Sequence, residues 1–172
     1  MSDGVAAFAV DGRPSRRGVR VLLLDPDDRL VLLCARDPLD PARGSFWFTT
    51  GGGAEPGETA EQTARREVAE EVGIRGFDLG PLVWRERTRF TFNGIVFDQA
   101  NDFYLGRTAV TDLDVSGQVA IERETIQQVR WWTGPELAGT PETIYPLGLA
   151  GLLAALLREG PPPAPIELPP HG

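Results

Sequence analysis

The 172-residue chain predicts an α+β domain in which a mixed β-sheet is sandwiched between α-helices. Three observations carry that expectation. Two leucine-rich and β-branched runs, "GVRVLLLD" and "RLVLLCAR", are joined by the turn composition Asp25-Pro26-Asp27-Asp28 and read as a hairpin. Over residues 59–72 the apolar pattern switches to a helical repeat. Further strands and a last helix follow, in an order that does not alternate as a doubly wound fold would.

Residues 1–16 are small and polar and read as a flexible lead-in, residues 17–159 as the folded domain, and residues 160–172 as a proline-rich tail, extended or disordered. After the first hairpin comes a Pro and Gly loop at 37–44 and then an aromatic strand, "SFWFTT", which Gly51-Gly52-Gly53 is expected to break. Ala60, Ala64, Val68 and Val72 recur every four residues, and Gly73 stands where a C-terminal cap belongs. The segments "PLVWRERTRFTF" and "IVFDQANDFYLG" flank Asn93-Gly94, the strongest short hairpin signal in the chain. A two-residue turn there pairs Phe92 with Ile95, Phe90 with Phe97, Arg89 with Asp98 and Arg85 with Asp102. Residues 107–125 read as a long acidic loop, "QQVRWW" as a strand, "GPELAG" as a turn or short helix, and 146–158 as a helix packed on the sheet.

Composition narrows the chemistry. A formal charge of −8 argues against a nucleic-acid binder, which needs a basic face, so a polyphosphate ligand would want a metal ion as intermediary. The only histidine is His171 and the only cysteine is Cys34, within an apolar run. Histidine-based triads and histidine zinc sites are thereby set aside, a core thiol is the plain reading of Cys34, and no internal disulfide can form. No secretory leader is evident and "LGLAGLLAALL" is too short to cross a bilayer, so a cytoplasmic protein is expected.

The chemistry concentrates in "GETAEQTARREVAEEVG", residues 57–73. At about 100° per residue, Glu67, Glu70 and Glu71 share an arc of roughly 100° beside the apolar stripe. Clustered carboxylates repel and raise one another's pKa unless a cation neutralises them. Oxygen ligands in one arc favour Mg²⁺ or Mn²⁺ over zinc. Gly51, Gly52, Gly53 and Gly57 permit a tight loop and close backbone approach to that arc. The plain alternative is a solvated helix face with Arg66 and Glu70 as an i, i+4 pair.

Gly52, Glu58, Arg66-Glu67-Val68, Glu70-Glu71 and Gly73-Ile74 stand at the nine fixed positions of the Nudix box, so the chain resembles the Nudix hydrolases. Roughly residues 17–158 fit the family pattern, although only the box is specific. The resemblance implies a Nudix fold and a hydrolase that cleaves a nucleoside diphosphate linked to another moiety, with Mg²⁺, or Mn²⁺ in its place, and water attacking phosphorus. It implies Glu67, Glu70 and Glu71 as metal ligands, joined by the carbonyl of Gly52 or its neighbour. Glu58 and Arg66 become the supporting pair. Thr50 occupies a position where many members have proline.

The resemblance also raises a general base outside the box. Glu122 and Glu124 are the candidates, with Glu124 preferred because it lies nearer the strand; Glu70 or Glu71 is the alternative, and a solvated loop residue the plain reading of both. Arg85, Arg87 and Arg89 suit phosphate, while Asp98 and Asp102 offer them a purely structural pairing. Trp47, Phe48, Trp84, Trp131 and Trp132 are either base-stacking or core residues. The subfamily markers for ADP-ribose, dinucleoside polyphosphates and coenzyme A are not evident, Phe90 and Phe92 standing in the relevant region. Two rival readings remain: a catalytically silent Nudix domain that binds or senses a nucleotide, and an acidic helix that only coordinates Ca²⁺. The expected partner is a small nucleotide; oligomeric state is open, a homodimer through a sheet edge included.

Overall fold

The computed structural model describes residues 17–170. The lead-in expected over 1–16 lies outside the described residues, as does His171. Eight strands form one mixed sheet: β1 (Arg17–Leu24), β2 (Leu30–Arg36), β3 (Ser45–Gly53), β4 (Asp78–Phe92), β5 (Ile95–Arg107), β6 (Ile126–Trp132), β7 (Thr143–Ile144) and β8 (Ile166–Glu167). Four helices flank it: α1 (Ala60–Val72), α2 (Ala120–Thr125), α3 (Gly134–Gly139) and α4 (Leu149–Glu159). The strand order is β6-β2-β3-β1-β5-β4-β8, with β7 beside β3.

Alternation along β1 divides the core in two. Val19, Val21 and Leu23 face α1, where they bury Ala64, Val68 and Val72 with Val31 and Leu33. Leu22 and Leu24 face the opposite way, against Trp47, Trp84, Phe103 and Trp132, under Leu137 of α3 and Leu149, Leu153 and Leu156 of α4. The sandwich expected from the element order is present. Each fully buried leucine or valine contributes about 1.5–3 kcal/mol, so neither face is dispensable.

The second hairpin has the expected register: Phe92↔Ile95, Phe90↔Phe97, Arg89↔Asp98 and Arg85↔Asp102. The two-residue turn places Asn93 at φ 49° and Gly94 at φ 76°, the left-handed pair that Asn-Gly accepts. Strand β5 then runs parallel to β1, from Arg17↔Ala100 to Leu24↔Arg107, which makes the sheet mixed.

Three expectations are corrected, and the tail takes the extended one of its two alternatives. The glycines do not break the aromatic strand: β3 continues through them, pairing Val19↔Gly52 and Arg20↔Gly51. Gly51 at φ 139° makes this feasible, since a Cβ there would lie 2.1 Å from the Val19 carbonyl oxygen. The expected loop over 107–125 contains α2, whose first turn is closed by the Val119 N–H donating to Glu122 Oε2 at 2.9 Å. The last helix begins at Leu149 rather than 146, because Gly148 sits at φ 77° ahead of it. The proline-rich tail is docked: β8 pairs in parallel with β4, the Leu168 N–H donates to the Arg85 carbonyl at 2.7 Å, and the Leu168 side chain joins the α4-side core.

A carboxylate cluster between the first helix and the glycine strand

Helix α1 starts at a reciprocal cap, with Gln62 N donating to Thr59 Oγ1 at 3.2 Å and Thr59 N donating to Gln62 Oε1 at 2.9 Å. It ends at Gly73 in the left-handed conformation. Between these ends the apolar stripe is pinned to the sheet, which fixes where the acidic edge points. Glu67 and Glu71 fall on the side facing β3 and are both buried. Gly52 makes room for them: a Cβ there would sit 2.4 Å from Glu67 Oε1.

Glu71 is held from the strand. Its Oε1 accepts from Gly51 N at 2.7 Å and from Thr50 Oγ1 at 2.8 Å. Glu67 Oε1 accepts from Arg66 Nη1 at 2.9 Å. Arg66 also grips Glu58 in a two-pronged pair, Nε to Oε2 and Nη2 to Oε1, each 2.8 Å, and donates to the Gly53 carbonyl at 3.1 Å. Glu58 further accepts from Glu55 N at 2.6 Å. The pair therefore fastens both ends of the glycine loop to the middle of α1. Arg66 holds the Glu58 carboxyl down at about 2.

A third carboxylate arrives from another element. Glu67, Glu71 and Glu122 each present an oxygen, and the three lie within 4.8 Å of one another. The segment carrying Glu122 is tied to α1: Asp114 N donates to the Val72 carbonyl at 2.9 Å, and the buried Gln118 side chain donates to the Glu71 carbonyl at 3.1 Å. Burial, with Arg66 in opposition and Glu122 and Glu70 adding to it, raises Glu67 to about 7. Burial and then the charges of Glu67 and Glu122 push Glu71 well up. Burial raises Glu122 too.

The structure brings together some of the residues singled out from the sequence and not others. Glu67 and Glu71 converge, whereas Glu70 is outside the trio; its side chain is 34% exposed and pairs with Arg66 Nη1 at 3.5 Å. The preferred outside glutamate changes as well. Glu124 is exposed, and Glu122 is the one that meets the cluster. Two residues in a helix are about 200° apart, so α2 turns only one of them inward. Gln118 and the Thr50 hydroxyl were not singled out as site contacts by the sequence; a Glu three residues after an uncapping Val119 is a weak signal, and Gln118 gives none.

Cross-strand rows locate the arginines. Gly52, Val19, Asp102 and Arg85 stand opposite one another in turn across β3, β1, β5 and β4. Val19 packs on the α1 side, so Arg85 is on the face of the cluster, about 14 Å across three strand spacings. Arg85 and Arg17 both pair with Asp102, at 3.3 and 3.0 Å, and Arg87 pairs with Asp98 at 3.7 Å. Arg89, opposite Asp98 in register, forms no ion pair among the described residues. Trp47, Trp84 and Trp132 are core residues, and Phe48 packs against the α1-side core. Trp131 is half-buried, its Nε1 donating to the Thr111 carbonyl at 2.9 Å.

The donor set is oxygen only, with Glu67 and Glu71 buried, Glu122 half-buried and Arg66 bonded to Glu67, and carboxylate oxygens are what a hard divalent cation takes and what zinc or copper does not favour. Comparison with known proteins agrees with the fold and the box. The NUDIX domain family model matches residues 14–149. An uncharacterized Nudix hydrolase, orf19 of Rhodococcus erythropolis, is 36% identical over 87 residues, 51% of this chain and 45% of that protein. The nucleoside triphosphatase NudI of Salmonella schwarzengrund is 38% identical over 79 residues, 43% of this chain and 54% of its own. The alignments thus span about half the length of these relatives. The crystal structure of a MutT protein from Methanosarcina mazei Go1 superposes with a TM-score of 0.59 at 19% identity, covering 84% of this chain and 94% of that one. This chain belongs to the Nudix family.

Proposed function

We propose that the protein is a metal-dependent pyrophosphohydrolase that cleaves a nucleoside diphosphate linked to another moiety, a (d)NTP or related nucleotide, by water attack on phosphorus. The observation that carries this reading is the convergence of Glu67, Glu71 and Glu122 within 4.8 Å at the glycine strand. Such a site concentrates negative charge where a phosphate ligand binds only through a cation, in a chain whose net charge is −8. The family membership and the likeness to a nucleoside triphosphatase support the same class.

In this reading Glu67 and Glu71 would hold Mg²⁺, or Mn²⁺ in its place, with Glu70 and the Gly52 carbonyl as the further ligands that the family resemblance implies. The bound ion supplies Lewis acidity toward phosphate oxygens and lowers the pKa of water. Glu122, raised by burial, takes the proton from the attacking water, in the role for which the sequence reading offered both Glu122 and Glu124 and preferred Glu124. Glu58 and Arg66 keep loop and helix in register. Arg85, Arg87 and Arg89, on the same face, receive the distal anionic part of the substrate, Arg89 being the one without an ion pair among the described residues. The partner is a small nucleotide, and a cytoplasmic location goes with it. Among the described residues no helix is long and apolar enough to cross a membrane.

The test is incubation with Mg²⁺ and a panel of canonical and oxidised (d)NTPs, ADP-ribose, nucleotide sugars and dinucleoside polyphosphates, with products identified by mass. Cleavage of one class within its phosphate chain, abolished by EDTA and by Glu71→Gln, is the expected result. Tight nucleotide binding with no cleavage across the panel would replace this reading with that of a silent nucleotide sensor.

A further inference from the structure

Thr50 lies in β3 opposite Val21, fully buried, one residue before the positive-φ Gly51. Its Oγ1 donates to Glu71 Oε1 at 2.8 Å, and the Gly51 N–H donates to the same oxygen at 2.7 Å. Two donors on one carboxylate oxygen engage both of its in-plane lone pairs. The other oxygen of Glu71 is then the one left for the cluster with Glu67 and Glu122. Neither donor is free to turn. Gly51 is fixed by its pairing with Arg20, and a β-branched side chain in a strand has a restricted χ1. Proline, which the family resemblance leads one to expect at this position, has no hydroxyl and could not make the first of these bonds.

We propose that Thr50 is a positioning residue for Glu71: it and the Gly51 N–H lock one carboxylate oxygen so that Glu71 offers a cation a single oxygen. One-oxygen ligation suits the compact octahedral shell of Mg²⁺ or Mn²⁺, whereas Ca²⁺ takes more oxygens and accepts two from one carboxylate. Thr50 thereby sets cation preference as well as affinity. The inference rests on the reading of Glu71 as a metal ligand.

The experiment measures Mn²⁺ binding to the nucleotide-free protein by electron paramagnetic resonance, with Ca²⁺ as competitor. It compares the unaltered protein with Thr50→Val, Thr50→Ser, Glu71→Gln and the Thr50→Val/Glu71→Gln double variant. A hydrogen bond to a charged group is worth enough that Thr50→Val weakens Mn²⁺ binding about tenfold and narrows the preference over Ca²⁺. Thr50→Ser retains both to within about threefold because the donor is kept. In the Glu71→Gln background the Thr50 change has no further effect. Unaltered Mn²⁺ affinity and preference in Thr50→Val, with binding lost in Glu71→Gln, overturns the inference and leaves the metal site standing. Unaltered binding in Glu71→Gln overturns both. Should Thr50→Val fail to fold, Thr50→Ala against Thr50→Ser carries the same comparison.

Discussion

Glu122 meets Glu71 from a separate element, their carboxylate oxygens lying within 4.8 Å, with the Gln118 side chain bonded to the main-chain carbonyl of the same Glu71. Only one face of α2 makes that approach, so the two glutamates of this short helix are separable by mutation. Glu122→Gln lowers kcat by a factor on the order of 10² to 10⁴, the range for loss of a general base, while retaining more Mn²⁺ binding than Glu71→Gln does. Glu124→Gln, altering an exposed side chain, changes kcat by less than about twofold. Steady-state kinetics on the two variants checks this; equal losses would remove Glu122 from its role.

Metal-free stability depends on pH in a defined direction. Glu67 is raised from 4.5 to about 7 by burial, so the folded state holds its proton more tightly than the unfolded chain. Stability from this group is complete below about 4.5 and is lost as pH rises through about 7. Glu71 acts in the same direction. Glu58 runs oppositely: held at about 2, it stabilises above about 4.5 and loses that contribution as pH falls through 2. In EDTA the melting temperature therefore falls between pH 5 and 8, and Mg²⁺ restores more of it at pH 8 than at pH 5. Glu86, raised by burial to about 7 outside the cluster, adds a slope that Mg²⁺ does not restore. Calorimetry with and without Mg²⁺ reads both parts.

Gly52→Ala places a methyl 2.4 Å from Glu67 Oε1 and 2.6 Å from its carboxyl carbon. At Gly52 strand β3 is held by its pairing with β1, from Val21↔Thr50 to Gly18↔Gly53, so the glutamate side chain is the part that must move. Mn²⁺ affinity and turnover are each expected to drop by at least about tenfold, on the order of one lost charge-assisted contact. Titration of Mn²⁺ into the variant would show it, and wild-type affinity would mean that Glu67 is not a ligand.

The docked tail makes a stability prediction far from the cluster. Leu168 is buried on the α4 side and its N–H closes onto Arg85, so Leu168→Ala costs about 2–3 kcal/mol by urea unfolding. A change below about 0.5 kcal/mol would show that β8 does not hold its place in solution.

The elements with strong local periodicity were legible from the chain. The four-residue apolar repeat of α1 and the Asn93-Gly94 turn gave the helix and the register of the second hairpin from Phe92↔Ile95 to Arg85↔Asp102, but not the irregularities beyond Trp84 that shift it. The ion pairs across that hairpin were less legible: Asp98 bonds Arg87 diagonally rather than its opposite Arg89, because long side chains reach neighbouring rungs. The tail was legible as an extended alternative to disorder, but proline content says nothing of whether an exposed edge of β4 lies within reach. At the site, spacing placed Glu67 and Glu71 together. It offered Glu70 both as a ligand and as the i, i+4 partner of Arg66 without deciding between them, and it could not tell which of Glu122 and Glu124 a short, weakly capped helix would turn inward.

The most direct measurement is diffraction from crystals grown with Mn²⁺, recorded at the manganese absorption edge. The account predicts an anomalous peak about 2.1 Å from carboxylate oxygens of both Glu67 and Glu71, beside Gly52 and with Glu122 facing it. A well-occupied peak elsewhere, or none at Mn²⁺ concentrations that support hydrolysis, would contradict the assignment of this cluster as the metal centre.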